Sequence, residues 1–99
     1  MKPLFVQIKC SKGQTFDVSE KIVDHLEETS EIYSISGQFD LLAKFYLRDD
    51  DDEGSFVVNK LQKIDGVLDT YTFVAFRLFR LSPGANYNAM GALSISVEI

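Results

Sequence analysis

One histidine and one cysteine are what this 99-residue sequence offers to imidazole or thiol chemistry. His25 stands beside the apolar positions of a helical stretch, with no residue spaced to orient it. General acid–base catalysis needs such a positioned partner, so His25 reads as a surface or boundary residue. Cys10 closes an alternating segment and has no histidine near it in sequence. It reads as a small buried thiol rather than a nucleophile, and a single thiol builds neither an internal disulfide nor a metal framework. The acidic run is richer. Asp49, Asp51, Glu53 and Gly54 match the first, third, fifth and sixth positions of a calcium loop. The twelfth position, where a bidentate glutamate belongs, is Lys60, whose charge would face the ion. The same acids fit the start of a helix, where they meet the positive end of its dipole, and the metal reading is rejected on that ground. The glycines are scattered and form no phosphate cradle. Lys9, Lys12, Arg48, Lys60, Lys63, Arg77 and Arg80 are dispersed, with no basic-aromatic patch for RNA. The expectation is a protein without metal, cofactor or catalytic residues.

Two short stretches remain. Ser36-Gly37-Gln38-Phe39-Asp40 puts a carboxylate just after a glycine turn, and Asp69-Thr70-Tyr71-Thr72 offers two hydroxyls. A carboxylate in such a place can hold an ammonium, while turn amides and threonine hydroxyls can hold a carboxylate. Glycine–aspartate hairpins and strand threonines are commonplace as plain structure, and spacing alone favours that reading.

The elements that carry these residues follow from periodicity. Leu4, Val6, Ile8 and Cys10 alternate with Phe5, Gln7 and Lys9, which predicts a strand. Ser11-Lys12-Gly13-Gln14 breaks it, and Thr15 is expected to cap a helix whose apolar stripe is Val18, Ile22 and Leu26. Ile32 to Ile35 and Asp40 to Leu47 read as a hairpin around Gly37. The acids 49–53 then open a second helix with Val57, Leu61 and Ile64, closed by Gly66 as a left-handed cap. Val67 to Leu81 is apolar and aromatic almost throughout, part of it strand. In the tail, Leu93, Ile95, Val97 and Ile99 alternate with polar residues as one further strand, to be paired with its own sheet edge or with another subunit's.

The order βαββαβ predicts an α+β, ferredoxin-like sandwich with both helices on one sheet face. The strands are nevertheless apolar on both faces, Leu41, Ala43 and Phe45 against Leu42 and Tyr46, and Phe73 and Ala75 against Val74 and Phe76. A domain this small cannot bury both faces alone, so a homodimer or higher oligomer is expected. The length supports one domain, residues 1–99, with a core over 4–81 and a tail over 82–99. Apolar residues at 45% and charged residues at 25% are those of a soluble globular chain. Ten basic against fifteen acidic side chains give net −5, a balance that repels phosphate backbones and argues against direct nucleic-acid binding. Met1-Lys2-Pro3-Leu4 enters the first strand with no signal-peptide pattern, and no stretch reaches the length of a membrane span. A reducing cytoplasm is the expected compartment.

Tyr33-Ser-Ile-Ser-Gly-Gln-Phe-Asp-Leu-Leu-Ala-Lys-Phe45, followed by Leu61-Gln-Lys-Ile-Asp-Gly-Val-Leu-Asp-Thr-Tyr-Thr-Phe73, resembles the effector-binding (RAM) domain of Lrp/AsnC-type transcription regulators. The strongest matches are the Gly37-x-Phe39-Asp40 turn and Ile64-Asp65-Gly66-Val67 before Thr70-x-Thr72, within a resemblance over roughly residues 4–76. It implies a βαββαβ domain that dimerises by apposing sheets into an α/β barrel, here with an extra C-terminal strand. It also implies binding of an amino acid or related metabolite between dimers, near the glycine turn. By that analogy Asp40 takes the ligand's ammonium, Gly37 and Phe39 shape the pocket, and Thr70 and Thr72 offer hydroxyls. The regulators carry an N-terminal helix-turn-helix domain that has no counterpart in this sequence, so DNA binding is not implied. The reading is a stand-alone, non-enzymatic sensor and oligomerisation module that modulates a related regulator by co-assembly. Its alternatives are a dimeric α/β-barrel enzyme of the small monooxygenase or isomerase type, whose pocket histidines this chain lacks, and a bare oligomerisation module.

Overall fold

The computed structural model describes residues 1–81 together with 95 and 96. β1 (Lys2–Cys10) alternates as its spacing requires: Leu4, Val6, Ile8 and Cys10 are buried, while Phe5, Gln7 and Lys9 are half-buried on the other face. A turn with Gly13 at φ +75° leads into α1 (Thr15–His25), which buries Val18 and Ile22. Thr15 is the first helical residue and not the cap. Gln14 holds the cap position, without a side-chain capping bond, and its carbonyl accepts the Val18 N–H at 2.8 Å. The Thr15 hydroxyl turns instead toward the Cys10 thiol.

β2 (Thr29–Ser34) begins before the apolar run because its ladder with β3 (Leu41–Leu47) reaches back to Thr29 opposite Phe45, with a register shift before Glu31. α2 (Glu53–Asn59) is shorter than its apolar spacing predicts. A 3-10 turn over Leu61–Lys63 takes over, and Ile64, in extended conformation, ends it before Gly66 is reached. Gly66, at φ +96°, therefore serves the turn into β4 rather than closing a helix. A Cβ at that position would lie 2.6 Å from Cγ2 of Val18, so the turn approaches α1 as closely as only glycine allows.

β4 (Val67–Phe73) ends where its pairing with β1 ends, at Phe73 opposite Phe5. The apolar run continues, but a strand needs a ladder partner as well as apolar side chains. Val74–Phe79 have no regular structure and expose their side chains, so the expected facing of Val74, Ala75 and Phe76 within the sheet does not hold. β5 (Arg80–Leu81) then pairs antiparallel with β6 (Ile95–Ser96). The rest of the expected tail strand lies outside the described residues.

The four long strands form one antiparallel sheet in the order β2-β3-β1-β4. With two helices on one face it has the ferredoxin-like architecture expected. The core lies between layers: Val18, Ile22 and Leu26 from the first helix and its end, Phe56, Val57 and Leu61 from the second helical region, and the inward residues of β1 and β3. Phe45 and Phe56 meet edge to face, 4.9 Å between ring centroids, a geometry favoured by the ring quadrupoles. No layer formed by the described residues covers the opposite face. Phe5, Leu42, Tyr46 and Phe73 are half-buried there, and Tyr33 and Tyr71 are exposed.

The acids before α2 behave as helix-terminus residues. Asp52 is the N-cap and accepts the Ser55 N–H at 2.8 Å, which holds its carboxyl below the usual range. Asp51 accepts the Arg48 N–H at 3.0 Å, and Glu53 pairs with Lys2 at 2.8 Å.

Candidate ligand-binding turn

The connection 35–40 is pinned at its C-terminal end. The Asp40 carbonyl accepts the Ile35 N–H at 3.0 Å, closing the hairpin, and the Asp40 N–H donates to the Ile8 carbonyl at 2.9 Å, joining the turn to β1. Gly37 sits at φ +115°, a conformation that favours glycine, with open space where a Cβ would stand. The turn is thus fixed in backbone and open above Gly37.

The Asp40 carboxylate is not left to solvent alone. Its Oδ2 accepts the Cys10 N–H at 2.8 Å and lies 3.8 Å from Nζ of Lys9. The Cys10 N–H is available because it faces the β3 side of β1, two residues beyond the last β1–β3 pair, Ile8 opposite Leu41. β1 outruns its neighbour there, and a side chain from the adjoining hairpin satisfies the donor left over. Burial first, and the Asp40 charge second, push the Cys10 thiol above its ordinary pKa. That suits an inert core thiol, as expected from the sequence.

Phe39 is half-buried, and its ring lies 6.2 Å from that of Tyr71. Sequence spacing singled out the threonines on either side of Tyr71 and passed over the tyrosine. The signal was in the alternation. In β4, Tyr71 and Phe73 share the open sheet face with Gln7 and Phe5, whereas Thr70 and Thr72 align with Ile8 and Val6 on the helix side. Thr70 accepts a hydrogen bond from Nε2 of Gln62 at 2.8 Å, and Thr72 is exposed. Within one chain the structure therefore brings Asp40 to Lys9 and Phe39 to Tyr71, and sets Thr70 and Thr72 on the other face of β4.

A groove of about 610 Å³ runs along the outer side of α1, bounded by Phe16, Val23, Ile32 and Leu41. It reaches Ser34 and Leu41, the residues flanking the turn, and includes none of the five residues expected at the site. Among the described residues no group of histidine, cysteine or acidic side chains is arranged to hold a metal ion, and no helix is long and apolar enough to cross a membrane.

A four-stranded antiparallel sheet with two helices on one face and a pinned glycine–aspartate turn at one end defines a small ferredoxin-like α+β domain. Residues 4–84 match the family "Lrp/AsnC ligand binding domain", and the chain belongs to that family. Similar solved structures include TTHA0845 from Thermus thermophilus, 33% identical, with a TM-score of 0.66 over 78% of this chain and 95% of that one. AsnC of E. coli is 25% identical with a TM-score of 0.65, over 76% of this chain and 50% of that one, so the match spans about half of the regulator. The regulator NMB0573 from Neisseria meningitidis, described as an L-Met complex, shares the fold at 19% identity and a TM-score of 0.60, over 76% of this chain and 49% of that one. No curated protein sequence matches the chain.

Proposed function

We propose that this chain is a non-enzymatic module that binds an amino acid or related small metabolite, assembles with itself, and modulates a related transcription regulator by co-assembly in the cytoplasm. The observation that carries the reading is the turn. Asp40 is anchored through its backbone on two sides with its carboxylate at the end of β1, in a turn that also carries an open Gly37 and Phe39, whose ring meets Tyr71. A fixed anion in a turn that also presents an aromatic pair suits a ligand with an ammonium and a side chain to pack. Gly37, Phe39 and Asp40 of one copy supply the ammonium side. Thr72, exposed on β4, and Thr70 beside it supply hydroxyls to the ligand's carboxylate from a neighbouring copy. The bare sheet face, with Phe5, Leu42, Tyr46 and Phe73, is covered by a second subunit, since apolar area of this kind costs roughly 25 cal/mol per Å² when left in water.

The test is a thermal-shift screen of the L-amino acids against the pure full-length chain. A ligand at a hundred times its dissociation constant adds about 2.7 kcal/mol, which in a domain of this size raises the melting temperature by about 10 °C or more. A rise with one amino acid, saturable and reproduced by calorimetry, supports the proposal. No rise with any amino acid or its keto-acid and amide relatives overturns it.

A further inference from the structure

The groove on the outer side of α1 has a charge as well as a shape. Ile32 and Leu41 bound it from the sheet, and Phe16 and Val23, both exposed, bound it from the helix. Glu20 and Asp24 line it from the same helix, about one turn apart. Neither carboxylate has a basic partner among the described residues, since Lys21, the lysine between them, pairs with Asp65 at 3.7 Å. Residues 82–99 contain no lysine or arginine that could supply one. From these observations we infer that the α1 groove is a ligand site apart from the Asp40 turn and takes a small organic amine. The ammonium lies between Glu20 and Asp24, and the alkyl or aryl body packs on the apolar walls.

These acids work against the helix that carries them. Like charges at i and i+4 repel, and Asp24 stands in the last turn of α1, where the helix dipole favours a cation. Other acids of this chain are answered from within, Glu28 by Lys60 and Glu53 by Lys2. At Glu20 and Asp24 the cation has to come from outside. Phe16, four residues before Glu20, adds an aromatic ring against which an ammonium or an aryl group can pack. Size agrees as well. The groove holds about 610 Å³, within the ~300–1,000 Å³ of sites that take small molecules.

The same chemistry excludes an amino acid from this groove. No lysine, arginine or histidine lines it among the described residues, and the Ser19 hydroxyl already donates to the Phe16 carbonyl at 2.7 Å. A ligand carboxylate would face Glu20 and Asp24 with no charge to balance it. An amine without a carboxylate meets no such repulsion. None of Gly37, Phe39 and Asp40 lines the groove, so the inference stands or falls independently of the function proposed for the turn.

The experiment titrates the isotope-labelled full-length chain with phenethylamine, phenethyl alcohol and hydrocinnamate, which share one apolar body and differ in charge, and follows backbone amide shifts by NMR at low salt. The amine is expected to give saturable shifts along residues 16–24 and at Ile32, with an affinity about fivefold or more above that of the alcohol. Hydrocinnamate is expected to give none there. High salt, which screens exposed charges, and the double variant Glu20→Gln with Asp24→Asn each bring the amine down to the alcohol. Both positions are exposed, and the dispersion of the variant's own spectrum checks that it is folded. Amine shifts that do not saturate, that centre on residues 35–40, or that persist at full affinity in the double variant overturn the inference. Equal affinity for amine and alcohol in the wild type overturns it too. So do shifts along α1 that appear on raising the protein concentration alone, because a second copy then fills the groove.

Discussion

Replacing Asp40 separates two tasks that the structure assigns to one carboxylate. The Asp40 side chain accepts the Cys10 N–H at 2.8 Å in a part-buried bond to a residue that is itself buried. Asp40→Ala leaves it unpaired at a cost of about 1–3 kcal/mol. The Lys9 pair, 3.8 Å apart and partly exposed on both sides, adds little. For a domain of this size the loss lowers the melting temperature by about 4 °C at the low end and about 20 °C at the high end. Asp40→Asn keeps an oxygen acceptor for Cys10 and loses only the charge, so it should melt close to the wild type. Ligand affinity divides differently. An ammonium that loses its desolvated carboxylate costs about 2–5 kcal/mol, a loss of roughly thirtyfold or more, and both variants should show it. Melting curves and titration calorimetry on the two proteins, with the amino acid found in the screen, read both quantities. Wild-type affinity in a folded Asp40→Asn refutes the ammonium assignment. Wild-type stability in Asp40→Ala refutes the bracing argument.

Three other perturbations test the fold around the site. Gly66→Ala should cost about 2 kcal/mol or more, because the residue must hold φ +96° with its Cβ 2.6 Å from buried Val18; combining it with Val18→Ala should be less damaging than the sum in denaturant melts, since only the clash is relieved. Asp52→Ala should lower the melting temperature at neutral pH, and Asp52→Asn should not. The cap lowers the Asp52 pKa, so its contribution is complete above the unfolded carboxyl pKa near ~3.9 and disappears as pH falls through the lower folded value; pH-dependent melts of wild type and Asp52→Asn should diverge only in acid. Cys10 has the opposite sign, its pKa raised by burial. The stability it protects is complete below the unfolded thiol pKa near ~8.5 and is lost as pH rises through the folded value, so Cys10→Ala should flatten the alkaline side of the melting profile.

Much of this protein could be read from residue order. Period-two alternation in β1 and β3 and the i, i+4 stripe Val18-Ile22-Leu26 rest on local geometry, in which side-chain direction depends only on position along the element. The βαββαβ order then leaves few topologies, and the turn Gly37-x-Phe39-Asp40 stood out through the family resemblance, since glycine–aspartate hairpins are common as plain structure. What the chain could not declare locally was pairing. β4 stops at Phe73 though the apolar run continues, because a ladder needs hydrogen-bond partners that no side chain specifies. α2 yields to a 3-10 turn and Gly66 serves β4, because the descent onto the sheet, with Val18 against the turn, is settled between elements. The same holds at the site. Alternation placed Thr70 and Thr72 together, but only the register against β1 put them on the helix side and brought Tyr71 to Phe39. Only the end of the β1–β3 ladder at Ile8 and Leu41 left the Cys10 N–H for Asp40 to hold.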